Sequence, residues 1–226
     1  LVSGDVKSPQ SFEKIWDSKT KCPECQISHS QIFSDIFKVT KPIPKIYYNK
    51  IGENSIKNNA LRILINPFAG NRWKSKELNF NELYKLIRTI NENFLNDNEL
   101  EIGLLGAGSD RIKNLQIQKD LTTEGISVEV YNTDSELNDL IHTIDKHCDI
   151  LITTDSLALH IGNGLGKKII AFFAPTSAAE IDLFYGGSKI ISTLDDYCNY
   201  SKDCDNSDIT ALKIFNATKN LQSGGN

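Results

Sequence analysis

From Leu61 onward, short apolar runs alternate with longer stretches in which hydrophobic residues recur every three or four positions. The runs are Leu61–Ile65, Leu100–Leu105, Ser127–Tyr131, Ile150–Thr153, Ile169–Phe173 and Lys189–Ile191. They are too short for helices and read as continuous apolar segments, the pattern of strands buried on both faces. Between them, Phe80, Leu83, Ile87, Ile90 and Phe94 predict one helix, and Leu137, Leu140, Ile141 and Ile144 predict another behind a cap at Asp134 or Ser135. A last helix is expected from Ser207, with Ile209, Leu212 and Phe215 turned inward. Six strand-then-helix repeats describe a doubly wound parallel α/β sheet.

The first sixty residues read differently. They carry one short amphipathic candidate, Ser30–Val39, with Ile32, Phe33, Ile36 and Phe37 on one side, followed by Lys41-Pro42-Ile43-Pro44-Lys45. The prolines stop the helix and stiffen a connector. Residues 1–59 are therefore expected to be the tail of one domain and a linker, and 60–226 a Rossmann-like domain. The chain of 226 residues contains no Met, which suggests further sequence upstream.

Composition narrows the function classes. With 25 Lys and Arg against 29 Asp and Glu, the net charge of −4 lacks the basic excess of a nucleic-acid binder. No window reads as a spanning helix, and the start lacks a signal peptide's charged and apolar regions. Five cysteines are an odd number in a chain this long, which points to a reducing compartment and a cytoplasmic location.

In a doubly wound sheet, ligands bind outside the carboxyl ends of the strands, where loops enter helices. Thr153-Thr154-Asp155-Ser156-Leu157-Ala158-Leu159-His160 is such a loop, and its helix-entrance N–H groups form an anion site that His160, one turn on, can overhang. Its plainer reading is a cap at Asp155 or Ser156 with His160 packed under a loop. Asn66–Lys74 brings Gly70 for close backbone approach, Arg72 and Lys74 for charge and Trp73 for an aromatic face. Ala174-Pro175-Thr176-Ser177 opens a second helix nearby. Nucleotide fingerprints fail: Gly106-Ala107-Gly108-Ser109-Asp110-Arg111 has Arg at the third glycine position, and Gly162-Asn163-Gly164-Leu165-Gly166-Lys167-Lys168 lacks the P-loop spacing. Gly162 and Gly164 instead suggest tight helix packing.

Four motifs in order then resemble a known family. Asn66-Pro67-x-Ala-Gly-x-Arg-Trp, Leu105-Gly106-x-Gly-x-Asp110, Ile152-Thr-Thr-Asp155-Ser156-x-x-x-His160 and Gly166-Lys-x-Ile-Ile-Ala-Phe-Phe-Ala-Pro175-Thr176 look like the C-terminal half of the glycosyltransferase family 9 heptosyltransferases. The resemblance implies half of a GT-B fold and inverting sugar transfer from a nucleotide-sugar donor, ADP-linked in the family, to a lipopolysaccharide core or other glycan acceptor. It implies no cofactor or metal, no nucleic acid, and peripheral work at the inner face of a bacterial inner membrane. Gly70, Arg72, Asp155, Ser156, Leu157, His160 and Thr176 would bind the donor. The catalytic base would be an acidic residue of the N-terminal domain, so none is assigned here. Two other readings stay open. One is a nucleotide-sugar epimerase of GT-B fold. The other is a degenerate, non-catalytic binding module, motivated by Leu157 where the family has Gly and Asn71 where it has Lys.

The cysteines carry a separate alternative. Cys22-Pro23-Glu24-Cys25 has zinc-knuckle spacing that Cys198 and Cys204 could complete, against the plainer reading of unligated thiols; Cys148 reads as core.

Overall fold

The computed structural model describes residues 28–37, 40, 43–48, 60–70, 73–94, 99–134 and 136–223. Arg72, Asn71, Ser135, Cys22 and Cys25 lie outside them, as do the side chains of Phe33, Ile36 and Phe37. The chain divides into two compact units, Leu1–Ile43 with Ser177–Asp182, and Pro44–Thr176 with Leu183–Asn226.

In the first unit, α1 (His29–Phe37) starts where the Ser28 hydroxyl accepts from the Gln31 N–H at 3.2 Å. Ile32 on it is buried, and the Ser30 hydroxyl donates to Asp182.

The second unit holds six parallel strands: β1 (Leu61–Asn66), β2 (Leu100–Leu104), β3 (Glu129–Val130), β4 (Ile150–Thr154), β5 (Lys168–Phe173) and β6 (Gly187–Ile191). Their order is β3-β2-β1-β4-β5-β6. The helices are α2 (Phe80–Phe94), α3 (Ser109–Thr123), α4 (Leu137–His147), α5 (Leu157–Gly164) and α6 (Ala211–Ser223). Alternate residues of each strand face opposite layers. Ile63 and Ile65 of β1 join one core with Leu83, Leu86, Ile87 and Ile90 of α2, Ile117 and Leu121 of α3, and Ile214 and Phe215 of α6. Each such fully buried side chain contributes about 1.5–3 kcal/mol of transfer free energy. Helices α4 and α5 cover the other layer, where a Cβ at Gly162 would come within 2.6 Å of Leu151 Cδ2, so glycine is what lets α5 lie against β4. The segment from Pro44 to Tyr48 also packs in this unit, with the Ile46 N–H donating to the Gly164 carbonyl at 2.9 Å.

All six predicted strands and both periodic helices are present. Two details differ. The last helix starts at Ala211, because Thr210 caps it: its carbonyl accepts from the Ile214 N–H at 3.2 Å. Ile209 therefore precedes the helix, the expected spacing no longer describes one face, and Leu212 is exposed while Ile214 takes the inward position. At α4 the cap is Glu136, not Asp134, because Glu136 and Asp139 form a reciprocal capping box.

Candidate functional site

The strand order reverses between β1 and β4, and a cavity of about 610 Å³ opens there at the carboxyl ends. That volume is typical of small-ligand sites, and a reversal point is where open α/β sheets bind them. Its lining comes from the loops after β1, β2, β3 and β4.

Beyond β1, Gly70 takes φ +69°, which a residue with a side chain rarely adopts, and its N–H donates to Asp110 Oδ2 at 2.9 Å. The other Asp110 oxygen accepts from Lys113 at 2.9 Å, and Lys113 also reaches Glu77 at 3.3 Å. Burial pulls the Lys113 pKa down, but the two carboxylates outweigh it and the ammonium titrates above its usual range. Asp110 thus leaves the N-terminus of α3 neutralised and hydrogen-bonded.

The loop continues into a 3₁₀ turn, Lys74–Lys76, whose last carbonyl accepts from Thr154 Oγ1 at 2.6 Å. Lys76 Nζ then lies 2.7 Å from Asp155 Oδ2 and 3.3 Å from the Asp155 carbonyl, with the Trp73 ring centroid 5.3 Å away. Thr176 Oγ1 donates to the same Asp155 oxygen at 2.8 Å. Both side chains of the Lys76–Asp155 pair are largely buried, so solvent screens it weakly.

At α5, Ser156 is the N-cap, yet its hydroxyl does not bond the helix's own N–H groups. It is held instead by Asn66 Nδ2 at 2.8 Å and lies 3.3 Å from Thr153 Oγ1. Leu157 and Ala158, the first helical residues, line the cavity. An apolar side is made by Leu137, Leu140 and Leu157, with the carboxylates of Asp134 and Glu136 beside it. Asp134 accepts from the Gly108 N–H.

The sequence-predicted residues are distributed as follows. Gly70, Asp155, Ser156 and Leu157 line one cavity. Thr176 is buried and touches it through Asp155. His160 is exposed on α5, and the lining is complete without it. Arg72 lies outside the described residues. Lys76 was missed, two positions beyond the loop that composition singled out, as was Glu136, while Asp134 was read only as a helix cap. The segment that fails the dinucleotide test supplies Gly106, Ala107 and Asp110 to the wall. Cys148 is core as expected, and Cys204 is buried with its sulfur 3.5 Å from the Asp196 and Asp205 carbonyls. Among the described residues, no group of three or more His, Cys, Asp or Glu side chains could hold a metal. No helix among them is long and apolar enough to cross a membrane.

No family model and no curated protein sequence matches the chain. Solved structures do. An Escherichia coli ADP-heptose lipopolysaccharide heptosyltransferase II aligns with a TM-score of 0.57 at 16% identity, covering 87% of this chain and 52% of its own. A family 9 glycosyl transferase from Veillonella parvula aligns with a TM-score of 0.62 at 14% identity, covering 88% and 61%. An E. coli heptosyltransferase crystallised with ADP aligns with a TM-score of 0.53 at 16% identity, covering 84% and 54%. The chain spans between 52% and 61% of the length of these proteins, and the likeness is one of fold.

Proposed function

We propose that this chain is the donor-binding half of a nucleotide-sugar-dependent glycosyltransferase. The observation that carries the reading is the cavity at the β1/β4 reversal, where the N-terminus of α5 meets a lysine on one side and an apolar wall on the other. A nucleoside diphosphate has matching halves: an anionic group suited to helix-terminal N–H groups and an ammonium, and a planar base suited to leucine side chains.

In this reading the diphosphate lies against the entrance of α5 and the base against Leu137 and Leu140. Asp155, held on one oxygen by Lys76 and Thr176, keeps its other oxygen outside those bonds for a sugar hydroxyl. Breaking the anomeric bond leaves negative charge on the departing diphosphate, and the N–H groups with Lys76 would stabilise it without a metal. The base that deprotonates the acceptor belongs to the other half of the enzyme. The donor proposed is ADP-linked, with heptose passed in inverting fashion to a lipopolysaccharide-type acceptor at the cytoplasmic face of a bacterial membrane. The fold neighbours, two of them heptosyltransferases, support that choice.

Calorimetric titration of the protein with ADP, UDP and GDP tests the reading. Micromolar binding of at least one, weakened about tenfold or more in Asp155→Asn, is expected; absence of binding by all three overturns it. Binding without donor turnover by the full-length protein would assign it as a binding module.

A further inference from the structure

The two groups that hold Asp155 Oδ2, the Lys76 ammonium at 2.7 Å and the Thr176 hydroxyl at 2.8 Å, stand on segments far apart in the chain. Both segments are gripped from behind by one stretch, the loop of residues 192–210 between β6 and α6. No residue of that loop is part of the cavity lining. We propose that this loop is the device that orients the Asp155 carboxylate toward the ligand, with Asn206 as a positioning residue that acts through the Lys74–Lys76 turn. This rests on the donor-binding reading above.

The first arm of the grip is a single amide. Asn206 Nδ2 spends its two protons on the Ser75 carbonyl at 3.0 Å and the Glu77 carbonyl at 2.7 Å. Between those two, the Lys76 carbonyl accepts from Thr154 Oγ1 of β4 at 2.6 Å. Three successive carbonyls are thus taken in alternation by the loop, the strand and the loop, which fixes how the turn is rolled about its own axis and so the direction in which the Lys76 side chain leaves it. The Ser75 hydroxyl adds a fourth bond, donating to the Ser201 carbonyl at 3.0 Å. Asn206 touches Asp155 only through this turn.

The second arm runs along the exit of β5. The Ser192 N–H donates to the Phe173 carbonyl at 2.9 Å, the Cys198 N–H to Ala174 at 2.8 Å and the Tyr200 N–H to Pro175 at 2.9 Å, so the three carbonyls that lead up to Thr176 all end on the same loop. Cys198 and Tyr200 take φ +64° and +54°, the left-handed region that residues with side chains seldom enter. Backbone held there persists only where its surroundings over-determine it. Here the strained pair aims two N–H groups at consecutive carbonyls just before a residue of the site. One loop therefore sets both donors of one carboxylate, and leaves the other Asp155 oxygen facing the ligand in a fixed plane.

A double-mutant cycle separates positioning from bracing. Whichever of ADP, UDP or GDP binds the wild type most tightly is titrated by calorimetry into wild type, Asn206→Ala, Asp155→Asn and the double variant, with a melting curve for each. Losing the amide should lower the melting temperature and weaken nucleotide binding roughly 3- to 10-fold, the size of one or two lost hydrogen bonds. In the D155N background the same substitution should still lower the melting temperature but change affinity by less than about twofold, since the carboxylate it acts through is gone. Phe94→Leu, a core change at the end of α2, should lower the melting temperature while leaving affinity at the wild-type value. Equal losses of affinity from N206A in both backgrounds, or no loss in either, overturn the positioning role and leave the donor reading standing. Binding by none of the three nucleotides, or wild-type affinity in D155N, overturns the donor reading and this proposal with it. If N206A does not fold, Ser75→Ala, which removes only the bond to the Ser201 carbonyl, is carried through the same cycle, and equal losses or no loss again decide against the role.

Discussion

Asn66, the last residue of β1, donates from Nδ2 to Ser156 Oγ at 2.8 Å, so the end of one central strand holds the N-cap of the helix that follows the other. The same amide lies 3.2 Å from Thr153 Oγ1 and 3.4 Å from the Phe68 carbonyl, and Asn66 is only 8% exposed. One buried side chain therefore joins β1, β4, the first loop and α5 at the point where the sheet reverses. Substituting Asn66→Ala removes these bonds and leaves Ser156 free to turn back onto its own helix. The expected cost is about 1–3 kcal/mol of stability, since buried acceptors lose their donor. Nucleotide affinity should fall with it. Chemical denaturation and calorimetry on the same preparation check both, and a variant with wild-type stability contradicts the role given to Asn66.

A second prediction concerns how α5 is seated. A Cβ at Gly164 would lie 2.8 Å from Ile46 Cδ1, closer than side-chain contacts allow. Gly164→Ala should destabilise the protein by about 1–3 kcal/mol through overpacking. Adding Ile46→Ala removes the opposing branch, so the double variant should be less impaired than the sum of the singles, a coupling that a double-mutant cycle in urea measures. Additive losses would show that Ile46 and Gly164 do not press on each other.

The sheet was legible because its strands are buried on both faces. Ile-Leu-Ile-Thr-Thr at β4 and Lys-Ile-Ile-Ala-Phe-Phe at β5 leave no alternative to an interior strand at that length. Helix α3 was not legible as a periodic segment, and the reason is functional geometry. Its buried positions run Asp110, Asn114, Ile117 and Leu121, one face that starts polar, while Ile112 and Leu115 are exposed. The polar end serves the loops: Asp110 holds Gly70, and Asn114 donates to the Leu105 carbonyl at 3.1 Å. Hydrophobic periodicity fails where the inward side of a helix is spent on binding loops instead of core.

The site was half legible for a related reason. Residues adjacent to strand ends, such as Gly70, Asp155 and Ser156, follow from the topology alone. Lys76 does not, because its place depends on how far a 3₁₀ turn carries the chain back toward β4, which no local pattern encodes. His160 stands outside the cavity lining. Spacing places it one turn past Ser156, but α5 presents that side of the turn outward. Thr176 reaches the cavity only because Asp155 lies between them.

Acid should act on the loop between β6 and α6. Burial pushes the Asp208 carboxyl up, but the Thr193 N–H at 2.8 Å, the Ser192 hydroxyl, Lys213 at 3.1 Å and the Thr193 hydroxyl at 3.0 Å outweigh it and bring its pKa to about 2. An unfolded Asp titrates near 3.9, roughly two units higher. A carboxyl depressed in the folded state contributes stability that is complete above the unfolded value and vanishes as pH falls to the folded one. Wild type should therefore melt well above Asp208→Asn at pH 6, with the gap closing between about pH 4 and pH 2. Melting curves at pH 6, 4, 3 and 2 check this, and a gap that is constant across the series would falsify it.

The thiols give a last prediction, on reactivity. Burial pushes the Cys148 thiol up to about 12. At Cys204 burial does the same, reinforced by Asp196, Asp205 and Asp208, and its pKa also reaches about 12. The thiolate is the nucleophile, and at pH 7.5 a thiol with a pKa of about 12 holds on the order of one part in 10⁴ to 10⁵ of it. Neither sulfur should react with iodoacetamide in the folded protein within minutes, and both should react once urea unfolds it, as peptide mass spectrometry can follow residue by residue. Because Cys148 sits between α4 and β4 in the core, its labelling should track global unfolding. Cys204 lies in the loop before α6, where the chain is held by hydrogen bonds rather than by strands. Its labelling should therefore begin at lower urea than that of Cys148, and simultaneous onset would mean that this loop opens only with the whole sheet.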